Sequence, residues 1–419
     1  MFAKVSTFNP VPLVLTGPGA IKTGASRLRQ IGYKRPLLVT DKGVAALSFF
    51  PQFIANLKEE KIDFVLFDQT LPNPPDTQVH EGAAIYKRER CDCLLAIGGG
   101  SPIDCAKAIG VIVANGGQIQ DYSRDFNTVP KPIPHLAAIP TTAGSGSECT
   151  AAAIVTNTSG RHYKMTIMDA HLLPSMAIVD PMIMIDLPPA LTSATGLDAL
   201  THSVEAYLAL GANDYTNGLA LGSIKLIFEY LPRAVANGRD LEARERMAYA
   251  QTMAGLAFNS AGLGLVHAMS HPLSAIYDIP HGAANALLLP WVMDFNLIAA
   301  LDKMADIAVA AGESITGLSS RSAASVAAGA VRRLTDDLGI IGNISDAAAA
   351  RGKTAVFEKD IDGLVKDAVE DVFRRFNPRH SSPQDIRSIY AQCWSSTTTE
   401  LIEALRARGP RGTTPNPRC

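Results

Sequence analysis

The sequence predicts an α/β N-terminal domain with a mostly parallel sheet, followed by an all-α C-terminal domain. Up to about residue 187, short and continuous apolar runs alternate with helical patterns, which is typical of strands covered on both faces. Beyond residue 187, apolar positions recur with a 3.6-residue period and β-branched runs are rare. The length of 419 residues also exceeds what one hydrophobic core usually supports.

Four apolar runs in the N-terminal part predict buried strands: Leu37–Thr40, Asp63–Phe67, Cys93–Ile97 and Leu136–Ile139. We expect helices from about Lys42 and after Pro75. Since helices separate the strands, neighbouring strands are predicted to run parallel.

Four periodic segments predict helices in the C-terminal part: Gly196–Leu210, Asn217–Phe228, Leu241–Ser260 and Met304–Ala311. We therefore place the domains at 1–187 and 188–405. The tail 406–419 is rich in Gly, Pro and Arg, and we expect it to be disordered.

Charge and hydropathy exclude several classes of protein. The 38 basic and 40 acidic side chains are well mixed and give a net charge of −2, so the basic field that nucleic acid requires is lacking. The N-terminus does not have the pattern of a secretory signal. No membrane span is predicted, because Ala286–Leu301, the most apolar stretch, is interrupted by polar residues and proline.

The six cysteines are few for so long a chain, and no Cys-x-x-Cys pair occurs. Reduced and mostly buried thiols are therefore expected, which favours a cytoplasmic location.

A glycine loop joins the third predicted strand to a helix. Gly98, Gly99 and Gly100 allow the backbone to approach a ligand closely, and Ser101 is a suitable N-cap for the helix. The N-terminus of this helix would offer free N–H groups to a phosphate. The loop is not a G-x-G-x-x-G fingerprint, and a plain tight turn is an equal alternative.

Two further sites in this domain have the chemistry to contact a nucleotide. Thr141 and Thr142 follow a strand and could bind a ribose or phosphate; a capped helix start is the alternative. Asp41 follows the first strand, where a carboxylate can accept both ribose hydroxyls and would favour NAD over NADP. From the local sequence alone, an N-cap is the favoured role for Asp41.

The helical part contains a pattern typical of a metal site. Asp198 and His202 are spaced i, i+4 and share one helix face; His267 and His271 repeat this spacing, and His281 follows ten residues later. Several unpaired imidazoles in apolar surroundings would be costly. One carboxylate and three imidazoles suit Fe²⁺, Zn²⁺, Co²⁺ or Ni²⁺ better than Mg²⁺ or Ca²⁺. His271 is either a fifth ligand or a neighbour that carries protons, with helix packing as its alternative role.

Taken together, these motifs resemble the iron-containing (group III) alcohol dehydrogenase family, over about residues 18–394. The resemblance implies a Rossmann-like N-terminal domain, a helical domain of the dehydroquinate synthase-like fold, and an active site in the cleft between them. It implies metal ligands at Asp198, His202, His267 and His281, with His271 as a catalytic residue beside the nicotinamide. The implied cofactor-binding residues are Asp41, Gly98, Gly99, Gly100, Ser101, Thr141, Thr142 and Lys164. Ala152 and Phe258 are expected to line the substrate pocket.

The implied reaction is hydride transfer between a nicotinamide cofactor and a small alcohol or aldehyde held by a divalent metal. We expect Fe²⁺, with Zn²⁺ as the alternative, NAD in preference to NADP, and a homodimer or larger assembly. Trp291 and Ser274 stand where the family usually has His and Gly, which bears on substrate preference. The alternatives are a dehydroquinate synthase-type, maleylacetate reductase-like or glycerol dehydrogenase-like relative, and a non-catalytic protein that binds metal and nucleotide.

Overall fold

The computed structural model describes residues 5–123, 128–159 and 163–395. Six strands in this part of the chain form one parallel sheet: β1 (Val14–Thr16), β2 (Pro36–Val39), β3 (Val65–Phe67), β4 (Cys93–Gly98), β5 (Leu136–Pro140) and β8 (Met176–Val179). Their order across the sheet is β1-β8-β5-β4-β2-β3. Between β5 and β8, an antiparallel hairpin is formed by β6 (Ala152–Asn157) and β7 (Tyr163–Met168).

Helices cover both faces of the sheet: α1 (Ala20–Ile31), α2 (Lys42–Ala45), α3 (Phe50–Glu59), α4 (Asp76–Arg88) and α5 (Gly100–Asn115). Alternate residues of a strand enter different cores because successive side chains point to opposite faces. Leu38 of β2 belongs to the core that contains Phe53 of α3, whereas Leu37 belongs to the core that contains Ile103 of α5. Leu37, Leu38 and Ile103 are completely buried.

The four predicted strands are confirmed, with ends within two residues of those expected. Three features were missed. Strands β1 and β8, with three and four residues, were not recognised, although β3 and β2 are equally short. The hairpin strand β6 is buried on one face only, so it lacks the continuous apolar run of the sheet strands.

The C-terminal part of the described chain is helical: α6 (Pro189–Leu208), α7 (Asp214–Ala236), α8 (Leu241–Ala261), α9 (Leu265–Tyr277), α10 (His281–Asn296), α11 (Leu301–Ala310), α12 (Ser320–Asp337), α13 (Ile344–Ala349), α14 (Phe357–Glu370) and α15 (Pro383–Ser395). The predicted α/β and all-α architecture is therefore confirmed. The boundary at residue 187 lies between β8 and α6, and the division into independent domains stays a prediction. The predicted tail 406–419 lies outside the described residues.

Helix α6 is the central helix of this part and packs against α7, α8 and α10. Nearly every residue from Thr192 to Leu208 is buried, including Asp198 and His202. An ionisable side chain in such a helix is costly unless it is paired or coordinates a metal. The burial of Asp198 and His202 therefore indicates that these side chains are paired or coordinate a metal.

Helix α10 approaches α6 closely at its first turn. Gly282 lies against the backbone of α6, where a Cβ atom would overlap the carbonyl oxygen of Ala194. Only glycine permits this approach without movement of one helix. The contact brings His281, the first residue of α10, next to Asp198.

The segment His281–Ala299 is long and apolar enough to cross a membrane by length and composition, but 72% of its most apolar window is buried inside the protein. Its contacts with α6, α9 and α12 account for this burial. Core packing therefore explains the apolar composition of α10.

Five cysteines, Cys91, Cys93, Cys105, Cys149 and Cys393, are buried and free, as the sequence predicts. Cys419 lies outside the described residues.

We expect Gly282→Ala to lower the free energy of unfolding by about 1–3 kcal/mol, because the added methyl group overpacks the contact between α10 and α6. Urea and thermal unfolding measure the change. Gly218→Ala is the matched control: Gly218 lies in α7 with open space around it, so alanine should be neutral or stabilise by up to about 1 kcal/mol. Equal stability of the two variants would contradict the role assigned to Gly282.

Candidate metal and cofactor site

Three helices bring together the side chains that the sequence predicts as metal ligands. One ligand atom each of Asp198, His267 and His281 lies within 4.8 Å of the others. Nε2 of His202 is 3.9 Å from Oδ1 of Asp198, and Nε2 of His281 is 3.8 Å from the same oxygen. The rings of His202 and His267 stack with centroids 4.7 Å apart. Asp198, His267 and His281 thus converge on one point, and His202 lies beside them, next to Asp198 and the ring of His267.

Burial keeps these imidazoles neutral at physiological pH. It lowers the pKa of His202 to about 4 and that of His267 to about 3. Burial also holds the pKa of His281 well below its ordinary value, and the neighbouring His267 and His271 lower it further. Neutral imidazole is the form that binds metal ions. A carboxylate and three neutral imidazoles form a donor set that fits Fe²⁺ or Zn²⁺.

A buried carboxylate orients His267. Nδ1 of His267 lies 2.6 Å from Oε2 of Glu205, whose other oxygen accepts the backbone N–H of Val266 at 2.6 Å. Burial raises the pKa of Glu205 to about 7, although the backbone N–H groups oppose this. With Nδ1–H donating to Glu205, the lone pair on Nε2 of His267 faces the other ligands. Such a partner is common behind metal-binding histidines.

The sequence analysis missed Glu205, yet a signal was available. Glu205 follows His202 by three residues and Asp198 by seven, which places all three on one face of a helix.

His271 lies beside the cluster without joining the group of donor atoms described above. Its ring stacks on that of His281 with centroids 5.3 Å apart. Nδ1 of His271 is 2.7 Å from Oδ2 of Asp371, a residue one hundred positions further along the chain. Oδ1 of Asp371 accepts the backbone N–H of Phe373 at 2.9 Å. The pairing holds the ring so that its Nε2 is the nitrogen left for other contacts.

Burial raises the pKa of Asp371, but the nearby His271 and the hydrogen bonds that the carboxylate accepts from His271 and Phe373 lower it by more. The net pKa of Asp371 is therefore below its ordinary value. A carboxylate at Asp371 is therefore available to accept the Nδ1 proton of His271 at neutral pH. No local sequence pattern links these two residues, and the analysis of the sequence missed Asp371.

Two phenylalanines flank the histidines. The ring of Phe258 stacks on His202 with centroids 4.3 Å apart. Phe373 is 6.2 Å from His267 and 5.9 Å from His271, measured between ring centroids. Apolar rings therefore pack against His202, His267 and His271.

A cavity of about 680 Å³ opens between the β6–β7 hairpin and helices α9 and α14, and His271 and Lys164 line it. Asp367, Glu370, Asp371 and Arg375 give it a polar side. The predicted pocket residues Ala152 and Phe258 are not in its lining. Instead, Phe258 covers His202, and the carbonyl of Ala152 accepts a hydrogen bond from Lys107.

Lys164 projects from β7 toward this cavity. Burial lowers its pKa to about 8, while the carboxylates of Asp104 and Asp198 raise it. The side chain therefore carries a positive charge at neutral pH in a region that also holds Asp198. The sequence-based prediction of Lys164 as a cofactor residue is compatible with this place, but stays a prediction.

The glycine loop ends β4 and begins α5, as predicted. Gly98 has a φ of +156°, and a Cβ on it would collide with Pro102. Cβ atoms on Gly99 and Gly100 would approach Thr142 and Ser145, so the two predicted nucleotide loops lie against each other. The backbone N–H of Thr141 donates to the carbonyl of Gly98 at 2.9 Å.

The predicted N-cap role of Ser101 was wrong. Helix α5 begins at Gly100, its N-cap is Gly99, and no side chain of the described residues caps it. The hydroxyl of Ser101 instead accepts the backbone N–H of Asn73 at 3.3 Å. The reason is that the chain already turns into the helix at Gly100, two residues after the strand. Without a side-chain cap, the first N–H groups of α5 can bind an anion.

A buried lysine holds these loops in place. Lys107 of α5 is fully buried, and its Nζ donates to the carbonyl of Ser147 at 2.6 Å, to the hydroxyl of Thr150 at 3.0 Å and to the carbonyl of Ala152 at 2.8 Å. Asp104 binds the same loop through the hydroxyl of Ser147, at 2.5 Å. The sequence analysis did not identify Lys107 because its partners are distant in the chain.

Asp41 lies at the carboxyl end of β2 and caps α2, accepting the backbone N–H of Val44 at 2.9 Å through Oδ1. This is the N-cap role that the local sequence favoured. The remaining carboxylate oxygen leaves room for a ribose contact.

Comparison with known proteins identifies the family. The profile of iron-containing alcohol dehydrogenase matches residues 12–181, and that of the Fe-containing alcohol dehydrogenase family, C-terminal, matches residues 192–394. The chain belongs to the iron-containing alcohol dehydrogenase family. The predicted family and class of enzyme are confirmed, and the predicted iron agrees with the description of the family.

Several relatives are similar over most of their length. The chain is 47% identical to the NAD-dependent methanol dehydrogenase of Bacillus methanolicus, over 90% of this chain and 97% of the relative. It is 44% identical to the 1,3-propanediol dehydrogenase of Klebsiella pneumoniae, over 90% and 96%. The crystal structure of a 1,3-propanediol oxidoreductase superposes with a TM-score of 0.89 at 43% identity, covering 93% of this chain and all of that one.

We expect Glu205→Ala to weaken the binding of Co²⁺, a spectroscopic probe for the site, by about 10- to 100-fold, because His267 loses the partner that fixes its ring. Titration of the metal-depleted protein with Co²⁺, followed by visible absorbance, measures the affinity. Glu205→Gln retains an acceptor for the Nδ1 proton and should bind Co²⁺ close to the wild-type level. An alanine variant with unchanged affinity would contradict the role of Glu205.

Proposed function

We propose that the protein is a metal-dependent alcohol dehydrogenase or aldehyde reductase that exchanges hydride between NAD and a small alcohol or aldehyde. The observation that carries the proposal is the convergence of Asp198, His202, His267 and His281 beside a cavity that contains His271 and Lys164. The donor set, the cavity and a candidate phosphate loop agree with the family to which the chain belongs.

The four converging side chains would hold the metal, which fits their oxygen and nitrogen donors. A bound divalent metal supplies Lewis-acid chemistry, polarising the hydroxyl or carbonyl oxygen of the substrate. In the oxidation of an alcohol, bound NAD would accept the carbon-bound hydrogen together with its electron pair, a C=O bond would form, and the hydroxyl proton would leave separately.

His271 is the candidate for moving that proton. Its Nδ1–H is held by Asp371, so Nε2 is free to take or give a proton toward the cavity. Phe258 and Phe373 limit water around the histidines, which protects the hydride transfer from side reactions. Asp371 acts through His271 and is a positioning residue.

The cofactor would lie along the carboxyl ends of the parallel strands, where nucleotides bind in this type of sheet. We assign the pyrophosphate to Gly98–Gly100 and Ser101 at the start of α5, the contacts beside it to Thr141 and Thr142, the adenosine ribose to Asp41, and the nicotinamide end to Lys164. The preference for NAD agrees with the NAD dependence of the methanol dehydrogenase of Bacillus methanolicus.

For the substrate, we propose a small uncharged alcohol or the corresponding aldehyde. The relatives named above act on methanol and 1,3-propanediol, and a further relative, 37% identical, is the lactaldehyde reductase of Escherichia coli. A homodimer or larger assembly, a cytoplasmic location, and the absence of nucleic-acid and membrane partners stay predictions.

Purified protein loaded with Fe²⁺ or Zn²⁺ should reduce NAD in the presence of short alcohols and diols, and oxidise NADH with short aldehydes. Absorbance of NADH at its ultraviolet maximum follows both directions. Prior removal of the metal with a chelator should abolish turnover, and re-addition should restore it.

Asp198→Ala should reduce turnover to the level of the metal-depleted protein, since it removes the only carboxylate of the four proposed ligands. Turnover that survives both the chelator and Asp198→Ala would contradict the proposed role of the metal.

Substitution of Asp41 tests the assigned ribose contact. Asp41→Ala should lower the ratio of kcat/KM for NAD to that for NADP by about tenfold or more, since a carboxylate at this position repels a 2′-phosphate. Lys42→Ala, at the next residue in α2, controls for damage to the helix. A cofactor ratio that does not move in Asp41→Ala would remove Asp41 from the cofactor site.

A further inference from the structure

The side chain of Asn285 reaches the point where the proposed ligands converge. Asn285 is fully buried and lies one turn after His281 in α10. Its Nδ2 is 2.7 Å from Oδ1 of Asp198, 3.2 Å from Nε2 of His267 and 3.2 Å from Nε2 of His281. Neither the family comparisons nor the spacing of the histidines assigns this residue a role.

These three contacts differ in chemistry. The imidazole nitrogens of His267 and His281 each have one lone pair, which a cation and an amide hydrogen cannot share. A carboxylate oxygen has two lone pairs and can bind a cation while it accepts a hydrogen bond. The contact from Asn285 to Asp198, the shortest of the three, is therefore the one compatible with metal binding.

The orientation of the amide follows from its neighbours. If the amide were reversed, its carbonyl oxygen would face the carboxylate oxygen of Asp198, and two acceptors would repel each other. With Nδ2 toward Asp198, Oδ1 of Asn285 is buried without a hydrogen-bond partner among the described residues. A buried amide that leaves its acceptor unpaired is unfavourable as simple packing.

Another asparagine in the same helix shows the difference. Asn296 is also buried, and its amide exchanges two hydrogen bonds with Asn377, at 3.0 Å and 2.8 Å. Both its donor and its acceptor are satisfied, as expected for a structural amide. Asn285 instead directs its donor at three proposed metal ligands, with Asp198 the nearest, and its acceptor has no partner among the described residues.

We propose that Asn285 is the positioning residue of Asp198: its amide fixes the carboxylate so that Oδ1 faces the three imidazoles. This inference rests on the proposed metal site. Asn285 then does for the oxygen ligand what Glu205 does for His267. Asn285 and Glu205 each hold a metal ligand in the orientation that the cation needs.

The test is the affinity of metal-depleted protein for Co²⁺ alone, with the visible absorption spectrum of the bound ion as the readout. Asn285→Ala removes the donor, and Asn285→Leu removes it while retaining the size of the side chain. Both variants should bind Co²⁺ at least about tenfold more weakly than the wild type, with altered absorption bands. Asn296→Ala is the matched control and should retain wild-type affinity and bands.

Thermal unfolding without metal separates this effect from misfolding, and Asn285→Leu remains informative if the alanine variant does not fold. Wild-type affinity and bands in the Asn285 variants would overturn the inference, as would an equal loss in Asn296→Ala. If the wild-type protein binds no Co²⁺, the metal site of the proposed function fails, and the inference fails with it. The inference is supported if Co²⁺ binds more weakly to the Asn285 variants while Asn296→Ala binds it as the wild type does.

Discussion

The close approach of α10 to α6 is the contact on which the candidate site depends. Asp198 and His202 lie on α6, and His281 and Asn285 lie on the first turns of α10. Gly282 allows the two backbones to touch, since any larger residue would meet the carbonyl of Ala194. If α10 and α6 lay further apart by the size of one methyl group, both His281 and Asn285 would move away from Asp198. The position of His281 beside Asp198 therefore depends on the glycine that follows the histidine.

Burial of polar side chains gives the site its chemistry. Low polarity around His202, His267 and His281 keeps the imidazoles neutral. Carboxylates then orient two of the neighbouring rings through Nδ1, Glu205 for His267 and Asp371 for His271. The same pairing has different consequences, because His267 faces the other ligands and His271 faces the cavity. His267 is thereby oriented for the proposed metal ion, and His271 for the proposed proton transfer.

In the α/β part, a single buried cation organises the loops that are proposed to hold the nucleotide. Burial lowers the pKa of Lys107 to about 8 even though the nearby Asp104 and Glu148 raise it, which shows how costly the charge is in this place. Hydrogen bonds to the loop that contains Ser147 and Thr150 offset the cost. The loop after β5 is thus tied to α5, next to Gly99 and Gly100. Lys107 thereby stabilises the loops that are proposed to hold the phosphate groups.

The sequence by itself determined the parts of the fold that local pattern controls. Continuous apolar runs located β2, β3, β4 and β5, and the 3.6-residue period located α6, α7, α8 and α11. The i, i+4 spacing on α6 and α9 already put Asp198 beside His202 and His267 beside His271. Strong periodicity survives in any tertiary context, which is why these predictions held. Strands β1 and β8 were missed, as was the hairpin β6–β7, whose strand β6 is buried on one face only.

Only the tertiary structure decided which distant residues complete the site. Asp371 reaches His271 across one hundred residues, Asn285 reaches Asp198 across eighty-seven, and Lys107 reaches Ser147 across forty. Such pairs depend on how helices cross and where loops return, and no local periodicity encodes that. The start of α5 at Gly99 and Gly100, with Ser101 inside the helix, was decided by the same packing. Local spacing supplied the ligands, and long-range packing supplied the groups that orient them.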